Sequence, residues 1–232
     1  MKEKSMSLNA KNSKNSGGGG GAEPLEAGAY AARIVSVTDI GLQPQMFNGE
    51  EKKPAYMIMV TYELVDEFMK GEDGEDLEDK PRWVSEQFAL YSLEVENAKS
   101  TKRYNALDPD MEFDGEWTGL IGMPCHVTLT RTPGKGANKA RIYNNVASVS
   151  KMRERDAKKC EPLINEPYFF DMDNPDAEVW NMIPAWVRTK IVNSLEFADS
   201  PTGKLVADSE GSGSPTKEKT STGDVDEDEI PY

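Results

Sequence analysis

The stretch AYMIMVTYELV, residues 55–65, sets the strongest limit on how this chain can fold. Tyr56, Ile58, Val60, Tyr62 and Leu64 recur at every second position. A period of two puts all five side chains on one face of a β-strand, whereas a helix would scatter them around its circumference. Tyr56 and Tyr62 are therefore read as core. Four weaker segments share this texture. YAARIVSVTDIG (Tyr30–Gly41) is rich in β-branched residues and ends at a glycine. RWVSEQFALYSL (Arg82–Leu93) sets Val84, Phe88 and Leu90 on one face, with Trp83, Ser85, Gln87 and Tyr91 on the other. MPCHVTLTRT (Met123–Thr132) aligns Cys125, Val127 and Leu129. KARIYNNVASVS (Lys139–Ser150) turns Ile142 and Val146 inward and Arg141, Tyr143 and Asn145 outward.

Turn residues separate the segments. Asn48-Gly49 follows the first strand, and Pro133–Gly136 (PGKG) joins the last two. The connection between the third and fourth strands is longer and irregular, with a short helix expected near Glu116–Ile121. Five strands with that connection make the chain mainly β: a five-stranded oligonucleotide-binding (OB) barrel with a helical or irregular C-terminal extension and disordered tails. An SH3-like barrel would give a similar strand count. The extension, Lys151–Pro201, carries Trp180 and Trp186, and a helix is expected through Pro184–Phe197 with Trp186, Ile191 and Leu195 in its buried stripe.

The organisation that follows has a flexible leader at 1–24, a barrel at 25–150, an extension at 151–201 packing on it, and a disordered acidic tail at 202–232. Residues 66–80 read as a solvated, mobile acidic loop within the barrel. The chain's 37% hydrophobic content is lean for a chain of 232 residues that is ordered throughout. No apolar run is long enough to span a membrane, and the polar start is unlike a signal peptide. Two cysteines without a CxxC pair suit a reducing compartment. A soluble, cytoplasmic protein is expected.

Net charge is −14, which on its face argues against a nucleic-acid partner. Its distribution argues otherwise. Residues 63–80 carry nine acids and two lysines, and residues 207–232 carry eight acids and two lysines. Residues 131–159 instead hold nine Lys or Arg against two acids. No catalytic or metal-binding pattern accompanies these charges. The glycine run in the leader lacks the Gly-Lys-Ser/Thr of a phosphate loop, and residues 67–79 lack the ligand spacing of a calcium loop. The single histidine, His126, reads as an ordinary strand residue. No enzyme activity and no cofactor are expected.

Binding to single-stranded nucleic acid needs cations for phosphates and open aromatic faces for bases, at about 1–3 kcal/mol per stacked base. The candidate DNA-binding residues are Phe47, Lys52 and Lys53 in the first hairpin and Trp83 and Tyr91 on the third strand. Arg131, Lys135, Lys139, Arg141, Tyr143, Lys151 and Arg153 complete the set across the last hairpin and the basic segment.

The chain closes on DVDEDEIPY. Its DEDEIPY resembles the acidic tip of bacterial and phage single-stranded DNA-binding proteins, in which acids precede Ile-Pro-Phe; here Tyr232 stands at the phenylalanine position. AGAYAARIVSVTDIG, VTYELVDE, LIGMPCHVTL, NNVASVS and WNMIPAWVRTKIVNSLEF are similar to segments of a phage-encoded family of such proteins with an OB core. The resemblance spans about Gly28–Pro201. It implies sequence-independent coating of single-stranded DNA in replication, recombination or repair, inside the cytoplasm of an infected bacterium. It also implies recruitment of a polymerase, helicase, nuclease or recombinase through Asp226, Glu227, Asp228, Glu229, Ile230, Pro231 and Tyr232, with a homo-oligomer open. From charge alone, the acidic tail is expected to compete with DNA for the basic segment. The alternative is a phage assembly or acidic interaction protein, built on a β-barrel that binds no nucleic acid.

Overall fold

The computed structural model describes residues 23–211 apart from Asn48 and Lys135. Three long strands come first: β1 (Gly28–Phe47), β2 (Glu50–Lys70) and β3 (Asp76–Ala89). Helix α1 (Lys99–Leu107) and a 3-10 turn (Trp117–Leu120) lead to β4 (Pro124–Pro133) and β5 (Ile142–Lys151). The C-terminal part holds α2 (Glu154–Ala157), β6 (Tyr168–Phe170), α3 (Ala177–Met182), α4 (Ala185–Val192) and α5 (Pro201–Gly211). The sheet runs β3-β2-β1-β4-β5 with antiparallel neighbours, and β6 adds to β1 in parallel. It is mainly β and open, with β3 and β5 as edges.

β1 is shared. Its first residues pair with β4 and the rest with β2. Register shifts after Ile34, Asp39 and Gln43 let this long strand coil from one partner to the other. Pro44, which has no N–H to give a ladder, falls in the third shift. Gly41 sits at the second with φ +77, and a Cβ there would stand 2.6 Å from Met172 Sδ and 2.9 Å from Ser194 Cβ. The extension approaches the strand so closely that only glycine fits.

Both faces of the sheet are covered. Ile58, Val60, Tyr62 and Leu64 of β2 join Ile34 and Val37 of β1 and Cys125, Val127 and Leu129 of β4 in an inner core, closed by Tyr104, Leu107, Trp117 and Leu120. On the other face Ile40, Met57 and Met59 pack against Tyr168, Phe170, Met172, Ile183, Val187 and Ile191. The extension thus supplies a second apolar layer, and it explains why β2 is buried at consecutive positions from Met57 to Leu64.

Several expectations are corrected. The acidic stretch 66–80 is not a loop: β2 runs to Lys70, β3 begins at Asp76, and Lys70 Nζ lies 2.7 Å from Asp76 Oδ1 across the hairpin. Its half-buried Phe68, Met69 and Leu77 supply the apolar contacts that a bare run of acids would lack. Tyr56 is exposed rather than core. The regular helix between β3 and β4 is α1, ahead of the expected position, where only a 3-10 turn forms. α4 stops at Val192, and it buries Val187 and Ile191 while Trp186 and Leu195 face outward. Residues 201–211 are helical where an unstructured tail was expected from 202. Among the described residues no helix is long and apolar enough to cross a membrane.

Candidate nucleic-acid interface

The open seam between β3 and β5 is bridged by α1. Arg103 donates to Glu86 of β3 from Nε (2.9 Å to Oε1, 3.1 Å to Oε2) and from Nη2 (3.0 Å to Oε2). The same Nη2 donates to the backbone carbonyls of Val146 (3.0 Å) and Ala147 (3.2 Å) on β5. Glu86 also accepts from the buried Tyr62 hydroxyl at 3.0 Å and pairs with Lys99 Nζ at 3.0 Å. One guanidinium therefore ties the two edge strands together, and it satisfies a carboxylate turned toward the core.

A groove of about 700 Å³ opens at this seam. Met59, Ser85, Glu86 and Gln87 line it from β2 and β3, and Thr130, Thr132, Asn145, Val146 and Ala147 from β4 and β5. α1 adds Lys99, Lys102 and Arg103, and α4 adds Trp186 and Lys190. Among the described residues four cations thus face one acid, and Glu86 is already held by two of them. Lys102 and Lys190 have no ion pair among the described residues. The Trp186 side chain is 53% exposed. The buried Oε1 of Gln87 has no hydrogen-bond partner among the described residues. Cations and an exposed aromatic ring, the two groups that phosphates and bases call for, thus lie within one cleft.

The cations are set by local sequence. Lys99, Lys102 and Arg103 fall at i, i+3 and i+4, which aligns them on one face of α1. Ser100 Oγ accepts from Tyr91 N (3.1 Å) and Thr101 Oγ1 donates to Ser92 O (3.3 Å), fixing the start of α1 to the segment that follows β3. On α4, Val187 and Ile191 are buried, which leaves Trp186 and Lys190, each one residue earlier, to turn toward the groove.

The residues expected from sequence are dispersed around this cleft. Trp83 shares the face of Ser85 and Gln87 on β3, but its indole N–H donates to Glu63 (3.0 Å). Glu63 is itself buried by Ile164 and Asn165, whose backbone and side-chain N–H groups it accepts. Tyr143 lies opposite Thr132 in the β4–β5 ladder and so projects on the groove side. Arg131 lies on the opposite face and pairs with Glu26 at 2.8 Å. Lys151 is clamped by Asp110 (3.1 Å) and Glu112 (2.9 Å), and hydrogen bonds to Glu112 and Asp110 hold its ammonium above the ordinary lysine range.

Phe47, Lys52 and Lys53 are exposed on the β1–β2 hairpin, where Lys52 pairs with Glu50 at 2.8 Å. Lys139, Arg141 and Arg153 are exposed away from the groove lining. Tyr91 lines a different, acidic groove with Asp39, Glu116, Asp171 and Asp173. Lys135 and the tip at 226–232 lie outside the described residues. His126 lines a small hollow with Asp66, Asp156 and Cys160.

Sequence reasoning missed Lys99, Lys102, Arg103, Trp186 and Lys190. The signals were KSTKR at 99–103, a one-sided basic helix face, and Glu86 between inward Val84 and Phe88, an acid that requires a buried cation. No family model matches the chain, and no curated protein or solved structure matches it, so the reading of the groove rests on its own chemistry.

Proposed function

We propose that this chain is a non-enzymatic single-stranded DNA-binding protein. It takes the strand into the seam groove, with phosphates near Lys99, Lys102 and Lys190 and a base stacked on Trp186. The observation that carries this reading is the meeting of Lys102 of α1 and Lys190 of α4, which have no ion pair among the described residues, with an exposed tryptophan in one cleft. Contacts of that kind tolerate any sequence, because every base has a π-face and every nucleotide a phosphate. A duplex hides its base faces in the stack and offers none to Trp186, so single strands are preferred.

The scaffold is read as an OB-type barrel left open at one seam. The order β3-β2-β1-β4-β5, with a helix between β3 and β4 bridging the two edges, supports that reading. The sequence resemblance supports a phage-encoded protein that coats DNA in the bacterial cytoplasm and recruits replication or recombination enzymes. In this reading Ile230 and Tyr232 enter an apolar pocket of the partner while Asp226–Glu229 steer association.

Titration with oligo-dT, followed by tryptophan fluorescence, tests the binding. Quenching is expected in the wild type and in Trp83→Ala, and most of it is expected to vanish in Trp186→Ala. An unquenched, unbound wild type would overturn the reading in favour of an interaction protein that binds no nucleic acid.

A further inference from the structure

We infer that residues 1–22 of this chain dock in the acidic, aromatic groove formed around Tyr56 and Tyr91. This second groove, of about 640 Å³, is lined by β1, β2, the segment 90–93 that follows β3, residues 115–118, and residues of and after β6. Tyr56, Leu90, Tyr91 and Phe169 all line it, and each is more than two-fifths exposed. Four large apolar side chains gathered in one cleft form a patch of the kind that marks an interaction site, whereas scattered ones would need no explanation. Four carboxylates, Asp39, Glu116, Asp171 and Asp173, stand among them, with no lysine or arginine in the lining among the described residues. Burial pushes the Asp39 carboxyl up, against the hydrogen bonds it accepts from Gly41 and Met172. A cation delivered beside it would relieve that cost. Nucleic acid is excluded as the occupant by like charge, and a bare anion likewise.

The occupant must bring cations and apolar groups together. MKEKSMSLNAKNSK, residues 1–14, does so: Lys2, Lys4, Lys11 and Lys14 against the single Glu3, with Met6 and Leu8 between them. Lysines can pair with the carboxylates or sit over the tyrosine rings, and Met6 and Leu8 can cover Leu90 and Phe169. The chain also reaches. From Gly28 to Asp39 along β1 is eleven residues, roughly 36 Å at strand rise. The fifteen residues between Leu8 and Glu23 span up to roughly 50 Å when extended, and the glycines at 17–21 let that tether turn. The acidic hairpin at 63–80 also attracts lysines, but it does not combine its acids with four exposed apolar side chains in a cleft. Docking would cancel the negative charge that Asp39, Glu116, Asp171 and Asp173 gather in this groove. It stands apart from the proposed function, since it requires no nucleic acid.

Zero-length carbodiimide crosslinking of the full chain at low salt, read by mass spectrometry, tests the inference. Crosslinks from Lys2, Lys4, Lys11 or Lys14 to Glu116, Asp171 or Asp173 are expected, and those to Glu116 should fall at least fivefold in Asp171→Asn/Asp173→Asn. A second measurement leaves the folded body untouched. In Lys2→Gln/Lys4→Gln/Lys11→Gln/Lys14→Gln, nitration of Tyr56 and Tyr91 should run severalfold faster than in the wild type. Leader crosslinks confined to residues 63–80 and 207–232, or nitration rates unchanged by the leader substitutions, would overturn it.

Discussion

Arg103 of α1 and Glu86 of β3 form a two-pronged ion pair at 2.9–3.1 Å, and the same guanidinium reaches the Val146 and Ala147 carbonyls of β5. Both side chains are nearly buried, at 12% and 5% exposure. Removing one partner of a buried pair costs about 3–5 kcal/mol because the other charge is stranded. Lys99 remains beside Glu86 in Arg103→Met, so a loss of about 3 kcal/mol is expected by urea denaturation. Arg103→Met/Glu86→Gln should recover part of it, since the Gln carbonyl can still accept from Tyr62. Equal stability of the wild type and Arg103→Met would contradict the clamp.

Gly41 carries a second stability prediction. Gly41→Ala forces a side chain into the left-handed region and within 2.6 Å of Met172 Sδ. A loss of about 1–3 kcal/mol is expected for such a residue. A fall in Tm of several degrees in thermal denaturation would show it.

The fold was legible where apolar residues alternate without interruption. Ile58 to Leu64 on β2 and Cys125 to Leu129 on β4 are core in the structure as they are in the sequence. The β2–β3 hairpin escaped because its carboxylates hide the sparse signal of Phe68, Met69 and Leu77. α1 escaped because its buried apolar positions are only Tyr104 and Leu107, too few to show a helical period. The cleft was less legible still. Lys99 and Lys190 are far apart in sequence and line one groove only because α4 packs on β1, where the Gln43 side chain donates to the Lys190 carbonyl. Trp186 was assigned to the buried stripe on its type, while the positions that pack are Val187 and Ile191.

Asp108 gives a pH dependence. Burial pushes its carboxyl up, but N–H groups of Phe113 and Glu112, the Tyr104 hydroxyl and the Lys151 cation together outweigh burial, and the net shift is downward. A carboxyl lowered in the folded state adds stability above its unfolded pKa of about 4, and that stability is lost as pH falls through the folded value. The wild type should therefore exceed Asp108→Asn in urea midpoint at pH 7, and the gap should narrow at pH 3. A gap that widens on acidification would contradict the assignment.

The acidic tail should compete with DNA for the cationic cleft. Deleting 224–232 removes five carboxylate side chains and is expected to raise affinity for oligo-dT at low salt and to flatten its salt dependence. Identical isotherms for the two chains across salt would exclude that competition.

The salt dependence of oligo-dT binding tests the central claim most directly. Three or four phosphate contacts on a single strand give a log–log slope of about −2 to −3, or roughly a twenty- to sixtyfold loss of affinity between 50 and 200 mM salt. Lys102→Ala and Lys190→Ala should each reduce the slope by about 0.7, with duplex bound more weakly throughout. A flat salt response, or slopes untouched by both substitutions, would contradict the assignment of the cleft.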